Sequence, residues 1–211
     1  DKIVALQPDL VLGCSDLQAD IAASLIRAGV PVAVFNQRSV AQIFDMLAQL
    51  AALVGAQDRG QSLLLQMRER LAQMQQAVQA QLDQGRRRPR VYFEEWDEPG
   101  ISAIRWVSEL IQIAGGEDCF AELGAQPLGK DRIIADPLEV VRRAPDIIFG
   151  SWCGKKFSAH NVAARPGWHD VPAVRDRELH EVKSSIILQP GPAALTDGVR
   201  ELQRVIAAWA T

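Results

Sequence analysis

The sequence predicts an α/β protein of two Rossmann-like lobes with parallel sheets, joined by one long backbone helix. Two observations carry this prediction. First, a helix end, a Pro-Asp step, a short apolar strand and a glycine occur together twice, at residues 3–13 and 140–150. Both strands are apolar on both faces, as buried parallel strands are. Second, a long stretch between the two units contains no proline and is rich in helix-forming residues.

The composition is that of a globular protein, and it argues against several classes of function. The chain has 211 residues, of which 48% are hydrophobic and 23% charged, and its formal net charge is −3. An acidic balance argues against a nucleic-acid partner, which requires a basic face. No apolar stretch reaches the roughly 20 residues that a membrane span needs. With three cysteines at least one is unpaired, so a disulfide framework is not expected.

The first lobe is predicted to be a βαβ unit followed by a helix. A strand over residues 9–12 leads into a helix over residues 16–28, and a glycine ends that helix. The second strand covers residues 30–35, and the connection should be right-handed with parallel strands. Ser39 then caps a further helix that carries an apolar stripe.

The proline-free stretch predicts one helix over residues 57–85. Five apolar side chains recur along it at helical spacing: Leu64, Met67, Leu71, Met74 and Val78. Such a helix would extend about 40 Å, which spans a small domain, so we interpret it as a rigid connection between lobes. A coiled-coil dimer is the alternative, but the seam is short and rich in glutamine. The predicted division is residues 1–56 for the first lobe, 57–85 for the backbone helix and 86–211 for the second lobe.

The second lobe is predicted to start with a strand at residues 90–94 and a helix at residues 101–114. Asp136 caps a helix that leads into the second repeated unit, with proline at its first position. A last strand is expected near residues 178–182, and a C-terminal helix ends near Trp209.

Three loops follow strands of the second lobe, at residues 94–101, 151–157 and 183–187, and they should meet at one edge of the sheet. In two-lobed α/β proteins, such loops face those of the other lobe across a ligand-binding cleft. Tryptophan next to lysine suits a large, flat, partly anionic ligand, because the ring supplies stacking area and the ammonium pairs with carboxylate or phosphate. The candidate ligand-binding residues are Trp96, Glu95, Asp97, Trp152, Cys153, Lys155, Lys156, Trp168, Ser184 and Ser185.

Several of these residues allow a second interpretation. Trp96 and Trp152 could pack the edge of the lobe instead of binding a ligand. The acidic cluster at residues 94–98 could serve acid–base chemistry or form a docking surface. No nucleophile elbow or phosphate loop accompanies this cluster, so no catalytic residue is predicted.

No bare metal ion is expected, because the three histidines are scattered and no ligand spacing is present. Cys14 and Cys153 each follow a repeated strand. Two hypotheses apply to both cysteines: they are small buried residues, or they are ligands of haem or a metal.

Four segments resemble the substrate-binding proteins of ABC transporters in which a helical backbone joins the lobes. They are residues 91–99, 151–157, 165–168 and 187–192. Within that group they are most similar to the branch described as cobalamin-binding; other members carry ferric siderophores, haem or bare metal ions. The resemblance covers nearly the whole chain. It implies a ligand held between two lobes, with little hinge closure on binding.

The resemblance implies a non-enzymatic protein that captures cobalamin or a related corrinoid and needs no cofactor. Its partners would be an ABC permease and its ATPase, and it would contact the membrane only through the permease, as a monomer. Acidic residues dock such proteins to the permease, and Asp16 and Asp20 are the first-lobe candidates. A periplasmic or membrane-anchored extracytoplasmic location is implied, together with a further βαβ segment ahead of Asp1.

Three alternatives stay open. The ligand could be haem or a ferric siderophore instead of a corrinoid. The chain could also be an enzyme of corrinoid metabolism, with Glu94 and Asp97 as acid and base. The unpaired cysteines are compatible with a cytoplasmic location.

Overall fold

Strands and helices alternate along the chain in the computed structural model, which describes residues 2–209. Tertiary contacts divide the chain into two units, of which the first ends at Gln37 and the second begins at Arg38. Parallel strand pairs occur in both units, so the predicted α/β class is confirmed. The lobe boundaries drawn from the sequence stay a prediction.

The first unit contains the predicted parallel βαβ arrangement. Strands β1 (Val11–Cys14) and β2 (Val32–Phe35) pair in parallel, and helix α1 (Ala19–Arg27) connects them. The helix begins three residues later than predicted, because residues 16–18 form a 3₁₀ turn. Gln18 ties that turn to the strand end, since its side-chain oxygen accepts a hydrogen bond from the N–H of Cys14 at 2.7 Å.

The two Pro-Asp steps share one backbone geometry. Gln7 and Ala144, which precede the two prolines, adopt the left-handed conformation with φ of 48° and 44°. The N–H of each residue bonds back to the preceding helical turn, at Val4 and at Val140 and Val141. A left-handed residue ends a helix, and proline prevents its continuation. The repeated sequence therefore produces the same chain reversal twice.

Helices α2 (Val40–Leu53) and α3 (Gln57–Asp83) pack against each other in the second unit. The hydroxyl of Ser39 caps α2 by accepting from the N–H of Gln42, as predicted. At 27 residues, α3 is the single long helix that the sequence predicts. Gly60 allows close packing of the pair, because a Cβ at this position would lie 2.3 Å from the Cβ of Ala51.

A five-stranded sheet forms the centre of the second unit, with β3 between β4 and β6 and with β7 next to β6. Its strands are β3 (Arg90–Asp97), β4 (Gly100–Ser102), β5 (Glu117–Asp118), β6 (Ile147–Gly150) and β7 (Leu179–Glu181). Strands β3, β6 and β7 are parallel, β4 is antiparallel to β3, and β5 pairs with the start of β3.

Helices cover both faces of this sheet. Val91 and Phe93 belong to a core shared with α2, α3, α4 (Arg105–Ile113) and α9 (Val199–Trp209), whereas Tyr92 belongs to a core on the opposite face. The shorter helices are α5 (Leu138–Arg143), α6 (Ala159–Ala163), α7 (Pro172–Arg175) and α8 (Ser184–Ile187). Among residues 2–209, no helix has the length and apolar character to cross a bilayer.

The turn after β3 corrects the prediction for residues 95–101. These residues were predicted as a loop that leads into a helix, but β3 continues to Asp97 and forms a hairpin with β4. Trp96 lies opposite Ile101, and α4 begins only at Arg105. The Pro-Gly pair at residues 99–100 is a turn signal in either case, and cross-strand pairing decides which element follows it. Residues 184–187, also predicted as a loop, form α8.

Replacement of Ala144 by glycine tests the geometry of the repeated step. Because the left-handed conformation is costly for a residue with a Cβ, Ala144→Gly should raise the free energy of unfolding by up to about 1 kcal/mol in urea denaturation. Ala164, at the end of α6 with φ of −81°, is the control, and glycine there should lower stability. Equal destabilisation by both variants would contradict the assigned geometry.

Candidate functional site

The parallel pairing of three strands in the second unit ends in one row of residues. Glu94 on β3 pairs with Gly150 on β6, which pairs with Glu181 on β7. The segments at and after these strand ends therefore lie at one edge of the sheet, as the sequence predicts. We call this region the carboxyl edge; it comprises residues 94–98, 151–157 and 183–185.

A buried carboxylate, Glu94, lies at the centre of the carboxyl edge. Arg165 donates two hydrogen bonds to it, at 2.6 and 2.9 Å, one to each oxygen. The hydroxyl of Tyr92 donates a third at 2.9 Å, and the indole N–H of Trp152 a fourth at 3.1 Å. A buried ion pair is stable when its geometry is bidentate and the remaining lone pairs are satisfied, as they are here. Glu94 thus joins β3 to the segments that contain Trp152 and Arg165.

The pKa values of Tyr92 and Arg165 in this network are both raised. Burial, reinforced by Glu94, raises the pKa of Tyr92 well above its ordinary value. Burial alone would lower the pKa of Arg165, but the Glu94 carboxylate outweighs this effect and the pKa is raised. Both oxygens of Glu94 accept two hydrogen bonds each, so this carboxylate is already fully engaged by protein donors. This geometry argues against Glu94 as the acid or base of an enzyme.

Two further carboxylates of the carboxyl edge also form ion pairs. Glu95 accepts two hydrogen bonds from Arg132, at 2.6 and 3.1 Å, and only 2% of the Arg132 side chain is exposed. Asp97 pairs with Lys155 on the segment after β6. Each of the three acidic side chains is therefore neutralised within the unit.

Lys155 also lies against two aromatic rings. Its ammonium is 5.1 Å from the ring centroid of Trp152 and 5.9 Å from that of Trp96, which is within the range of a cation–π interaction. The indole N–H of Trp96 donates to the carbonyl of Glu98 at 3.0 Å, and this residue is only partly buried. Trp96 therefore combines a fixed orientation with an accessible surface.

Trp152 and Trp168 are packed inside the unit, with 4% and 2% of their surfaces exposed. Trp152 packs edge-on against Phe157, with centroids 5.1 Å apart. Trp168 meets Tyr92 in the same manner and lies 4.6 Å beneath the guanidinium of Arg165. Trp152 therefore packs the edge of the lobe, as the second interpretation of this residue expects. The ligand-binding role of both residues stays a prediction.

The other predicted site residues lie at the surface or near it. Cys153, Lys156 and Ser185 are exposed, and Ser184 is half-buried at the start of α8. In the first unit, Asp16 and Asp20 are exposed, and their role in permease docking stays a prediction.

The expectation that Cys14 and Cys153 are buried is wrong, because both are exposed. Cys119 is the shielded cysteine, and burial raises its pKa to about 12. In the described part of the chain, no group of three or more His, Cys, Asp or Glu side chains could hold a metal ion.

Three residues that organise the site were not among those predicted from the sequence: Tyr92, Arg132 and Arg165. Arg165 lies in one of the four segments that resemble the family, so a signal for it was present. Arg132 gave no signal, because its partner Glu95 is 37 positions away and no motif surrounds it.

Comparison with known proteins places the chain in a family. Residues 1–185 match the periplasmic binding protein family, and the chain belongs to that family. It is 26% identical over 202 residues to a vitamin B12-binding protein of Vibrio parahaemolyticus, covering 92% of this chain and 67% of the relative. It is 24% identical over 213 residues to an ABC transporter substrate-binding lipoprotein of Bacillus subtilis, covering 98% of this chain and 64% of that protein.

A solved structure confirms the fold class. The periplasmic haem-binding protein of Pseudomonas aeruginosa matches with a TM-score of 0.79 and 19% identity, covering 99% of this chain and 75% of the other. At this identity the likeness shows the fold alone. The resemblance to ABC-transporter substrate-binding proteins is confirmed, while the chain spans only about two thirds of the length of the two relatives.

Removal of one partner of the buried ion pair should destabilise the second unit. Arg165→Met leaves Glu94 as an uncompensated buried charge, so the free energy of unfolding should fall by about 3–5 kcal/mol in chemical denaturation. Arg175→Met is the matched control, because it breaks the exposed pair of Arg175 with Asp176 and should cost less than about 1 kcal/mol. Equal losses in the two variants would show that Arg165 does not hold the site together.

Proposed function

We propose that this chain is a solute-binding protein of an ABC importer, which captures cobalamin or a related corrinoid and delivers it to a membrane permease. One observation supports the choice of a corrinoid as the ligand. The carboxyl edge pairs Glu94, Glu95 and Asp97 with cations and presents the partly exposed Trp96 next to Lys155. Membership of the periplasmic binding protein family supports the role in transport.

The chemistry of the carboxyl edge suits a large ligand with few charges. A corrinoid carries neutral amide groups around its ring, whereas a haem carries two carboxylates. The guanidinium of Arg132 is already paired with Glu95, and that of Arg165 with Glu94. Neither is available for the carboxylates of a haem, so the amide-bearing macrocycle is favoured. Trp96 would cover part of that macrocycle by stacking.

Smaller polar groups would bind the periphery of the ligand. In this proposal, Ser184, Ser185 and Lys155 contact side-chain amides or the phosphate of the nucleotide arm. Lys156, which has no ion-pair partner among residues 2–209, supplies a further positive charge for that phosphate. Trp152 and Trp168 contribute mainly by holding the surrounding segments in place.

The proposed activity, location and partners are those of substrate-binding proteins of ABC importers. The protein is non-enzymatic, acts outside the cytoplasm as a monomer, and requires an ABC permease with its ATPase as partners. Asp16 and Asp20, both exposed, are proposed to contact the permease from the first unit.

Haem is the second candidate ligand, and the exposed Cys153 directly after β6 is the observation that favours it. The single tyrosine of the chain, Tyr92, is buried and bonded to Glu94, so it is not available to iron. A thiolate from Cys153 is the ligand that remains at the carboxyl edge. A haem-loaded sample whose Soret band shifts in Cys153→Ala would support this candidate over the corrinoid.

Truncation of Trp96 tests the proposed corrinoid contact. Because stacking area is lost, Trp96→Ala should weaken cobalamin binding about tenfold or more, measured by tryptophan-fluorescence titration with an inner-filter control. Trp209→Ala is the matched control, since Trp209 is also partly buried and lies 4.5 Å from a cation, Arg87, but belongs to α9. Wild-type affinity in Trp96→Ala would contradict the assigned contact, and absence of cobalamin binding in the wild type would contradict the function.

A further inference from the structure

A groove of about 350 Å³ lies between α3 and the C-terminal helical segment of the second unit. We call it the α3–α9 groove. Residues Ala194–Gly198 form a π-helix directly before α9, and this π-helix contributes to one side of the groove. π-Helices are rare, and they occur frequently at functional sites. None of the residues that line the groove belongs to the carboxyl edge, so the groove is a separate candidate site.

Each side of the groove contributes an arginine and, three positions later, a glutamine. On α3 these are Arg70 and Gln73, and on α9 they are Arg200 and Gln203. Residues three positions apart lie on one face of a helix, so each helix directs its pair to the same groove. The apolar wall of the groove is formed by Leu71, Met74, Ala77, Leu195 and Val199. The groove therefore combines exposed arginines with an apolar surface.

The charged side chains that line the groove are both positive, and no carboxylate of residues 2–209 lines it. Arg70 has no ion-pair partner in this part of the chain. The residues three and four positions from it on α3 are all neutral, and Glu69 does not line the groove. Arg200 pairs with Asp197 at 2.7 Å, but the pair is exposed and therefore weak. The groove thus offers at least one guanidinium to the anionic group of a ligand.

These charges and the apolar wall define the chemistry of a ligand. An ammonium would be repelled by Arg70, and a neutral amide would gain no ion pair. A carboxylate accepts two parallel N–H bonds from the planar fork of a guanidinium, which a single point charge does not. An apolar stem next to the carboxylate would remove the wall of the groove from water, and the flexible side chain of Met74 adapts to its shape.

We propose that the α3–α9 groove binds a small organic carboxylate that carries an apolar stem. The carboxylate accepts from the guanidinium of Arg70, the positive charge of Arg200 adds to the attraction, and the stem lies against the apolar wall. The hydroxyl of Thr196, which also lines the groove, donates to the carbonyl of Pro192 at 2.8 Å and is not needed as a donor. This proposal does not depend on the transport function, because the groove shares no residue with the carboxyl edge.

The test compares three head groups on one stem. Hexanoate, hexanamide and hexylamine are titrated into the full chain labelled with ¹³C at its three methionine methyl groups, which are followed by NMR. The Met74 resonance is assigned as the one lost in Met74→Leu. Hexanoate should shift it saturably, with at least tenfold higher affinity than the other two compounds. Met46 on α2, which does not line the groove, is the internal control.

Two further comparisons test the head group and the stem separately. Arg70→Gln should weaken hexanoate binding at least tenfold, whereas Arg59→Gln, at an exposed arginine of α3 outside the groove, should leave it unchanged. Acetate, which has the head group without the stem, should bind at least tenfold more weakly than hexanoate. Equal affinities of hexanoate and hexanamide, of hexanoate and acetate, or of Arg70→Gln and the wild type would overturn the proposal, as would the absence of a Met74 shift.

Discussion

The carboxyl edge of the second unit depends on the buried ion pair of Glu94 and Arg165. Glu94 ends the apolar part of β3, where water is excluded, and four hydrogen bonds satisfy its two carboxylate oxygens there. One of those bonds orients Trp152. Lys155 then lies against the Trp152 ring and pairs with Asp97. The loop after β6 and the end of β3 are thereby fixed by one chain of interactions.

In the proposed role, this arrangement serves binding and not catalysis. Catalysis by proton transfer needs a carboxyl group within hydrogen-bonding reach of the substrate. Here Glu94, Glu95 and Asp97 are all engaged by cations, and the partly exposed ring of Trp96 is held by its own hydrogen bond. A site whose side chains are already fixed loses little conformational freedom when a ligand binds. Such a preorganised surface fits the proposed role as a carrier of a rigid macrocycle.

The features that could be predicted from sequence are those with a local pattern. The Pro-Asp steps, the proline-free helix α3 and the parallel strands each follow from neighbouring residues. The contacts that define the site join residues far apart in sequence, such as Glu94 with Arg165 and Glu95 with Arg132, 71 and 37 positions apart. Long-range pairs leave no periodicity, so these contacts could not be predicted, and neither could the choice between the two interpretations of Trp152. The β3–β4 hairpin is local, but its Pro-Gly turn signal fits either a loop or a hairpin. The three loops at one sheet edge could be predicted, because parallel strand order fixes them.

The proposed ligand of this chain is a corrinoid. Isothermal titration calorimetry of the full chain with cyanocobalamin, with haemin and a ferric hydroxamate in parallel, tests this most directly. The account predicts one-to-one binding of cyanocobalamin that is at least tenfold tighter than that of the other two ligands. Tighter binding of haemin or of the ferric hydroxamate, or no heat with cyanocobalamin, would contradict it.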